Sequence, residues 1–200
     1  MGPVSPGDVL VDKNGNPFSI VVTKIIAGAS TSYAWFGGSL FYYFVDAGSG
    51  ASETDLYTDT MPANVLHTNG DQLTFEYAGV LVSSVSATRE LKVYFAGSSI
   101  FDTGALTFSL SSAWVIYGTL IRVSATVVRY SISFTTEGTT LAAYTAVGEL
   151  TGLTLTAGNI LKITGTSAGV GAMTNDIVAK LGNIFWWPSS TEGGSGGGSS

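Results

Sequence analysis

From residue 52 onward, apolar and polar positions alternate with a period of two. Leu73, Phe75, Tyr77, Gly79 and Leu81 share one face, with Thr74, Glu76, Ala78 and Val80 opposite. That is the pattern of a half-buried strand, because successive side chains leave a strand on opposite sides. Leu91, Val93 and Phe95 repeat it against Lys92 and Tyr94, and Val128, Tyr130, Ile132 and Phe134 repeat it against Arg129, Ser131 and Ser133. Trp114 to Val123 is apolar on both faces, which predicts a strand covered on both sides. Segments 160–164 and 177–186 complete the set. Between the strands stand Asn69-Gly70-Asp71, Ala96-Gly97-Ser98, Asp102-Thr-Gly104, Glu137-Gly138 and Ala157-Gly158-Asn159, all turn-forming chemistry. Turns recurring every roughly 8–12 residues predict a sandwich or barrel. The best helical window, 174–181, is cut short by Gly182 and continues into the strand-like Ile184-Phe-Trp-Trp187, so the block reads as all-β.

The N-terminal part has a different texture. Segments 9–11 and 18–22 flank Asp12-Lys-Asn-Gly-Asn16, and Asn14-Gly15 predicts a β-hairpin. Residues 25–45 carry no charge and are long enough for a membrane span. Interspersed Ser and Thr, Gly37-Gly38 and the lack of a basic flank argue instead for two β segments, 20–27 and 33–45. The aromatic residues Trp35, Phe36, Phe41, Tyr42, Tyr43 and Phe44 are candidates for packing against other subunits. The chain therefore divides into an N-terminal anchoring or assembly segment (1–46), a flexible joint (47–51), a β domain (52–188) and a Gly/Ser-rich linker or tag (189–200). No apolar run near the start reads as a secretory signal.

Composition narrows the chemistry. The 200 residues include no Cys and one His, His67, so thiolate zinc sites, disulfides and multi-histidine metal centres are excluded. A net charge of −6 argues against nucleic-acid binding. Charged residues make up 11%, against roughly 25% in ordinary soluble domains.

No constellation supports catalysis, and no cofactor or metal is expected. Asp12 to Asn16 begins like a calcium loop, but its glycine comes fourth, Pro17 takes the sixth place and Thr23 the twelfth, so hairpin chemistry accounts for it. Glu53, Asp55 and Asp59 form an acidic cluster that reads as a charged strand edge, with calcium held by Asp55 and Asp59 at a subunit seam as the functional alternative. His67 precedes a turn and reads as a surface hydrogen-bonder. Gly165 to Gly171 is glycine-dense but lacks the Lys and helix of a phosphate loop. Arg122 shares a face with Trp114, Ile116 and Leu120, which suggests that it reaches a carboxylate or an aromatic ring, within the chain or across subunits. Trp186 and Trp187 either seal the core or contact a glycan.

Several segments together resemble a known kind of domain: Glu53-Thr-Asp-Leu56, Met61-Pro-Ala-Asn64, Thr68-Asn-Gly-Asp71, Lys92-Val-Tyr-Phe95, Phe101-Asp-Thr-Gly104, Trp114, Ile121-Arg122, Asn175-Asp-Ile-Val178 and Trp187-Pro188. Residues 52–188 are similar to a domain of tailed-phage structural proteins. The resemblance implies an antiparallel jelly-roll sandwich like that of tumour necrosis factor, homotrimeric, displayed as a fibre knob, decoration or receptor-binding head. It implies a location on the virion surface or otherwise extracellular, with residues 1–46 attaching the head to other virion proteins. A trimer needs strands whose second face meets neighbouring copies, and Trp114, Ile116, Leu120 and Arg122 are the candidate assembly residues of the domain. The alternatives are a filament or surface-layer subunit that exchanges N-terminal strands, and a carbohydrate-binding module whose partner is a surface glycan.

Overall fold

A computed structural model describes residues 9–11, 17–19, 33–34, 39–43, 47–49, 52–82, 84–108, 110–137, 143–173, 175–187 and 189; before residue 50 only backbone pairing is described. Among these described residues the regular elements are fifteen strands. Five lie in the N-terminal part: β1 (Val9–Val11), β2 (Pro17–Ser19), β3 (Tyr33–Ala34), β4 (Ser39–Tyr43) and β5 (Ala47–Ser49). The domain holds β6 (Thr54–Met61), β7 (Gln72–Leu81), β8 (Ser84–Phe95), β9 (Ser98–Asp102), β10 (Leu106–Phe108), β11 (Ser112–Ser124), β12 (Val127–Thr136), β13 (Ala143–Leu150), β14 (Asn159–Gly169) and β15 (Ile177–Trp187). The segment 177–187, where a helix was the weaker option, is strand.

Thirteen of these strands form two antiparallel sheets, and β1 and β2 pair separately, so the chain is an all-β sandwich. One sheet has the order β10-β8-β14-β6, with β9 also on β8; the other has the order β13-β12-β11-β7-β15-β4-β3, with β5 also on β15. The core between them is built from the inward parity of each strand. Leu73, Phe75, Tyr77, Trp114, Ile116, Leu120, Ile132, Phe134 and Ile184 come from the larger sheet, and Met61, Leu91, Val93, Phe95, Leu161 and Ile163 from the smaller. Two glycines make room between neighbouring strands of the larger sheet. A Cβ on Gly118 would lie 2.0 Å from Cζ of Phe75, and one on Gly79 would lie 1.9 Å from the carbonyl oxygen of Val178.

Turn chemistry acts where it was expected. Ala96 (φ 49°) and Gly97 (φ 82°) make a two-residue hairpin turn between Phe95 and Ser98, with both central residues left-handed as a type I′ turn requires. Asp102 accepts a hydrogen bond from the Gly104 amide at 2.7 Å, an Asx-type turn.

The N-terminal hairpin pairs Val9 with Ser19 and Val11 with Pro17. Within 25–45, β3 pairs with β4, and β4 pairs with β15 from Ser39–Trp186 to Tyr43–Gly182. Segment 20–27 lies outside the described residues. The expected flexible joint is corrected in part: Ala47, Gly48 and Ser49 pair with Ala179, Val178 and Ile177, so the sheet takes up the start of that stretch. No helix among the described residues is long and apolar enough to cross a membrane.

Candidate functional site

The outer surface of the smaller sheet carries a groove. Register places Thr58 beside Lys162 and Lys162 beside Tyr94, one row across β6, β14 and β8. The outward side chains of that row, with Glu53, Asp55, Gly97 and Ile160, line a depression of about 380 Å³. Lys162 Nζ lies 2.8 Å from Asp55 Oδ1 and 5.1 Å from the centroid of the Tyr94 ring. Thr58 Oγ1 donates to Asp55 Oδ2 at 3.1 Å, and the Tyr94 hydroxyl donates to Glu53 Oε1 at 2.8 Å. Desolvation, then the hydrogen bond to Glu53 and its charge, push the Tyr94 phenol above its ordinary range, so it stays a donor.

Beyond the groove the same face continues as a ladder of charge. Lys92 stands 3.4 Å from Glu90 and 3.5 Å from Asp102. Desolvation opposes its charge, but those two carboxylates outweigh it and raise the ammonium's pKa. Desolvation and the charge of Asp102 raise that of Glu90. Such a face offers paired donors and acceptors held in place.

The acidic cluster is split by the fold. Glu53 and Asp55 line the groove, whereas Asp59 turns toward the edge of the sandwich and accepts from the Tyr57 hydroxyl at 3.1 Å. Burial pushes the Asp59 carboxyl up, partly offset by hydrogen bonds from Tyr57 and the Thr60 backbone. β6, which carries all these residues but Glu53, is an edge strand of its sheet. Among the described residues no group of three or more His, Asp or Glu is disposed to hold a metal ion.

Trp114, Ile116 and Leu120 are buried in the core of their own chain, at 1%, 0% and 0% exposure. The expectation that they meet other subunits is therefore corrected. It failed because β11 is covered on one side only: the opposite parity is Val115, Tyr117, Thr119 and Ile121, with Tyr117 50% and Ile121 38% exposed. Among the described residues, Arg122 meets neither a carboxylate nor a ring. It donates from Nε to the Ser124 carbonyl at 3.0 Å and from Nη1 to the carbonyls of Leu66, at 2.8 Å, and His67. Its role is to tie the 62–71 loop to the end of β11. His67 itself is exposed.

Trp186 and Trp187 do not form one platform, because consecutive strand residues face opposite ways. Trp186 packs on the core, while Trp187 lies outside, donating to Thr74 Oγ1 at 3.2 Å with its ring stacked near Phe185 at 6.4 Å. Phe41, Tyr42 and Tyr43 occupy β4 opposite Ile184, Asn183 and Gly182. Trp35, Phe36, Phe44, Pro188 and the turn at 12–16 lie outside the described residues.

The outer face of the larger sheet is the second notable surface. Register aligns Thr145, Ser133, Tyr117, Glu76 and Asn183 in one row. The next row is Val147, Ser131, Thr119, Thr74 and Phe185, and the one after it Glu149, Arg129, Ile121, Gln72 and Trp187. Val147 is 73% exposed. Among the described residues of β7, β11, β12 and β13, the charges on this face are Glu76, Arg129 and Glu149, and the last two neutralise each other at 2.9 Å.

One interior pair was missed. Arg89 is buried beside Asp176, with Nη2 3.3 Å from Oδ2. The same oxygen accepts from Ser167 Oγ at 2.6 Å and from the Met173 amide at 2.7 Å. The sequence held the clue: Arg89 has the parity of Leu91, Val93 and Phe95, so an inward-facing strand position carries a charge.

No family model matches the chain, and no curated protein matches it. A solved structure of peanut lectin with a 9mer peptide aligns over 90% of this chain and 88% of its own, at 10% identity and a TM-score of 0.28. That likeness is too distant to carry an argument about fold or function.

Proposed function

We propose that the chain is a non-catalytic structural protein of a virion surface, a homotrimeric head forming a fibre knob, decoration or receptor-binding element. The observation that carries this reading is the outer face of the larger sheet. Across β7, β11, β12 and β13 it is rich in Ser and Thr and carries only Glu76, Arg129 and Glu149 as charges, with Tyr117, Ile121, Val147 and, on β15, Trp187 exposed. A wetted sheet face ordinarily carries more charge, whereas a face buried between copies loses it. The virion setting rests on the motif resemblance of residues 52–188.

Connectivity lends support to a jelly roll. The chain switches sheets from β7 to β8 and back from β14 to β15, and each of the two resulting pairs, β7–β15 and β8–β14, lies within one sheet. β11, β12 and β13 extend the larger sheet beyond β7. Residues 1–46 serve as the attachment segment. The second reading, strand exchange between copies, is favoured by one observation: β4 and β5 both pair with β15, a position where a neighbour's strand would seat equally well.

Native mass measurement of the full chain tests the assembly. Three protomers are expected, and Tyr117→Asp with Ile121→Asp should give folded monomers. Open-ended polymers favour strand exchange, and a monomeric wild type defeats both. Antibody labelling of source particles in the electron microscope tests the virion assignment; label confined to non-viral filaments or cell surfaces overturns it.

A further inference from the structure

We infer that the groove formed by Tyr94, Lys162, Asp55 and Glu53 binds a neutral carbohydrate of mono- to disaccharide size, at a place remote in the fold from Trp186 and Trp187. A sugar hydroxyl both donates and accepts, so it pairs best with an acceptor and a donor side by side. Asp55 Oδ1 and Lys162 Nζ, 2.8 Å apart, supply such a pair. Thr58 holds the other Asp55 oxygen and Tyr94 holds Glu53, so both carboxylates are oriented before any ligand arrives. Ile160, 44% exposed, supplies the apolar wall against which the C–H side of a sugar ring packs. The groove's volume of about 380 Å³ lies near the lower end of small-molecule sites, which run from roughly 300 to 1,000 Å³.

Charge selects among ligands. The lining has two carboxylates and one ammonium, so phosphate, sulfate and sialic acid meet net repulsion. A cationic ligand finds its place over the Tyr94 ring already taken by Lys162, which Asp55 pins there. A neutral polyol is what remains. The groove also lies on the smaller sheet, away from the face proposed to meet other copies, so it stays open in a trimer; its existence does not depend on that assembly.

Saturation-transfer NMR on the full chain with lactose, maltose, cellobiose and sialyllactose tests the site. At least one neutral disaccharide should give a saturable signal, and sialyllactose should bind more weakly than lactose. The near-isosteric Asp55→Asn, and Tyr94→Ala, should each weaken the best neutral ligand about tenfold, the weight of one hydrogen bond to a charged group. Trp187→Ala should leave affinity unchanged. Circular dichroism confirms the fold of each variant, and Asp55→Asn decides the matter if Tyr94→Ala does not fold. The inference is overturned if no neutral sugar saturates, if sialyllactose binds more tightly than lactose, or if binding survives Asp55→Asn and is lost in Trp187→Ala. Trimer mass is read separately, so failure of one proposal leaves the other standing.

Discussion

Replacing Asp176 with alanine should be among the most damaging single changes in the domain. One carboxylate oxygen receives the Ser167 hydroxyl at 2.6 Å, the Met173 amide at 2.7 Å and Arg89 Nη2 at 3.3 Å. Ser167 is 0% exposed and Arg89 2%, so no water replaces what is removed. Two hydrogen bonds to a charged group are worth about 1.5–3 kcal/mol each. Stranding one member of a buried ion pair costs about 3–5 kcal/mol overall. For a domain whose whole stability is of order 5–15 kcal/mol, that is a large share. At about 2–4 °C per kcal/mol for a chain of this size, the midpoint should fall by roughly 6–20 °C. The assay is denaturant unfolding at fixed protein concentration, because assembly would add a concentration-dependent term. The double variant Arg89→Met with Asp176→Leu should recover most of the loss, since removing both charges also removes the cost of burying them. A loss of less than about 1 kcal/mol for Asp176→Ala, or a double variant no better than the single, would refute the argument.

Two further outcomes follow from the same interior. Gly118→Ala should lower the melting temperature through overpacking worth about 1–3 kcal/mol, because the new methyl would sit 2.0 Å from the buried Phe75 ring; an unchanged melt would show that the ring has room to move. Asp59→Asn should raise the urea midpoint at neutral pH. Burial raises the pKa of the folded carboxyl, so the folded state holds that proton more tightly, and ionisation weakens the fold as pH rises through the folded pKa. The gain should shrink as the solution is acidified, and a variant less stable than wild type at neutral pH contradicts the sign.

The architecture was legible wherever parity was clean. Leu73, Phe75, Tyr77, Gly79 and Leu81 are buried as the alternation predicts, and Thr74 is the one position of the opposite face that is buried as well, beside the Trp187 indole that donates to it. The Ala96-Gly97 turn was legible because two left-handed residues between strands admit few other geometries. What misled was apolarity read as burial. Tyr117 and Ile121 are as apolar as Trp114 and Ile116, yet only register against β7 and β12 shows which set faces the other sheet. β14 runs on to Gly169, past the expected end at 164, because its polar Ser167 is satisfied by Asp176 inside the fold. The groove was not legible at all. It joins Glu53 to Tyr94 and Asp55 to Lys162 across long stretches of chain, and no local pattern announces such a meeting.

The scarcity of charge gains meaning once the two outer faces are compared. On the smaller sheet, Asp55, Glu90, Lys92, Asp102 and Lys162 stand on adjacent strands and engage one another at 2.8–3.5 Å. On the larger sheet, the rows through β7, β11, β12 and β13 hold mainly Ser, Thr and apolar residues. A chain with 11% charged residues has few to distribute, and a sheet face left bare in water invites association. Concentrating the charge on one face keeps that face solvated and leaves the other suited to be covered in the proposed assembly. Thr and Ser suit such a contact, because a hydroxyl exchanges a hydrogen bond to water for one across an interface without the desolvation cost of an ion. The groove of Glu53, Asp55, Tyr94 and Lys162 lies on the charged side, which under the proposed assembly would be the face left open to a soluble ligand.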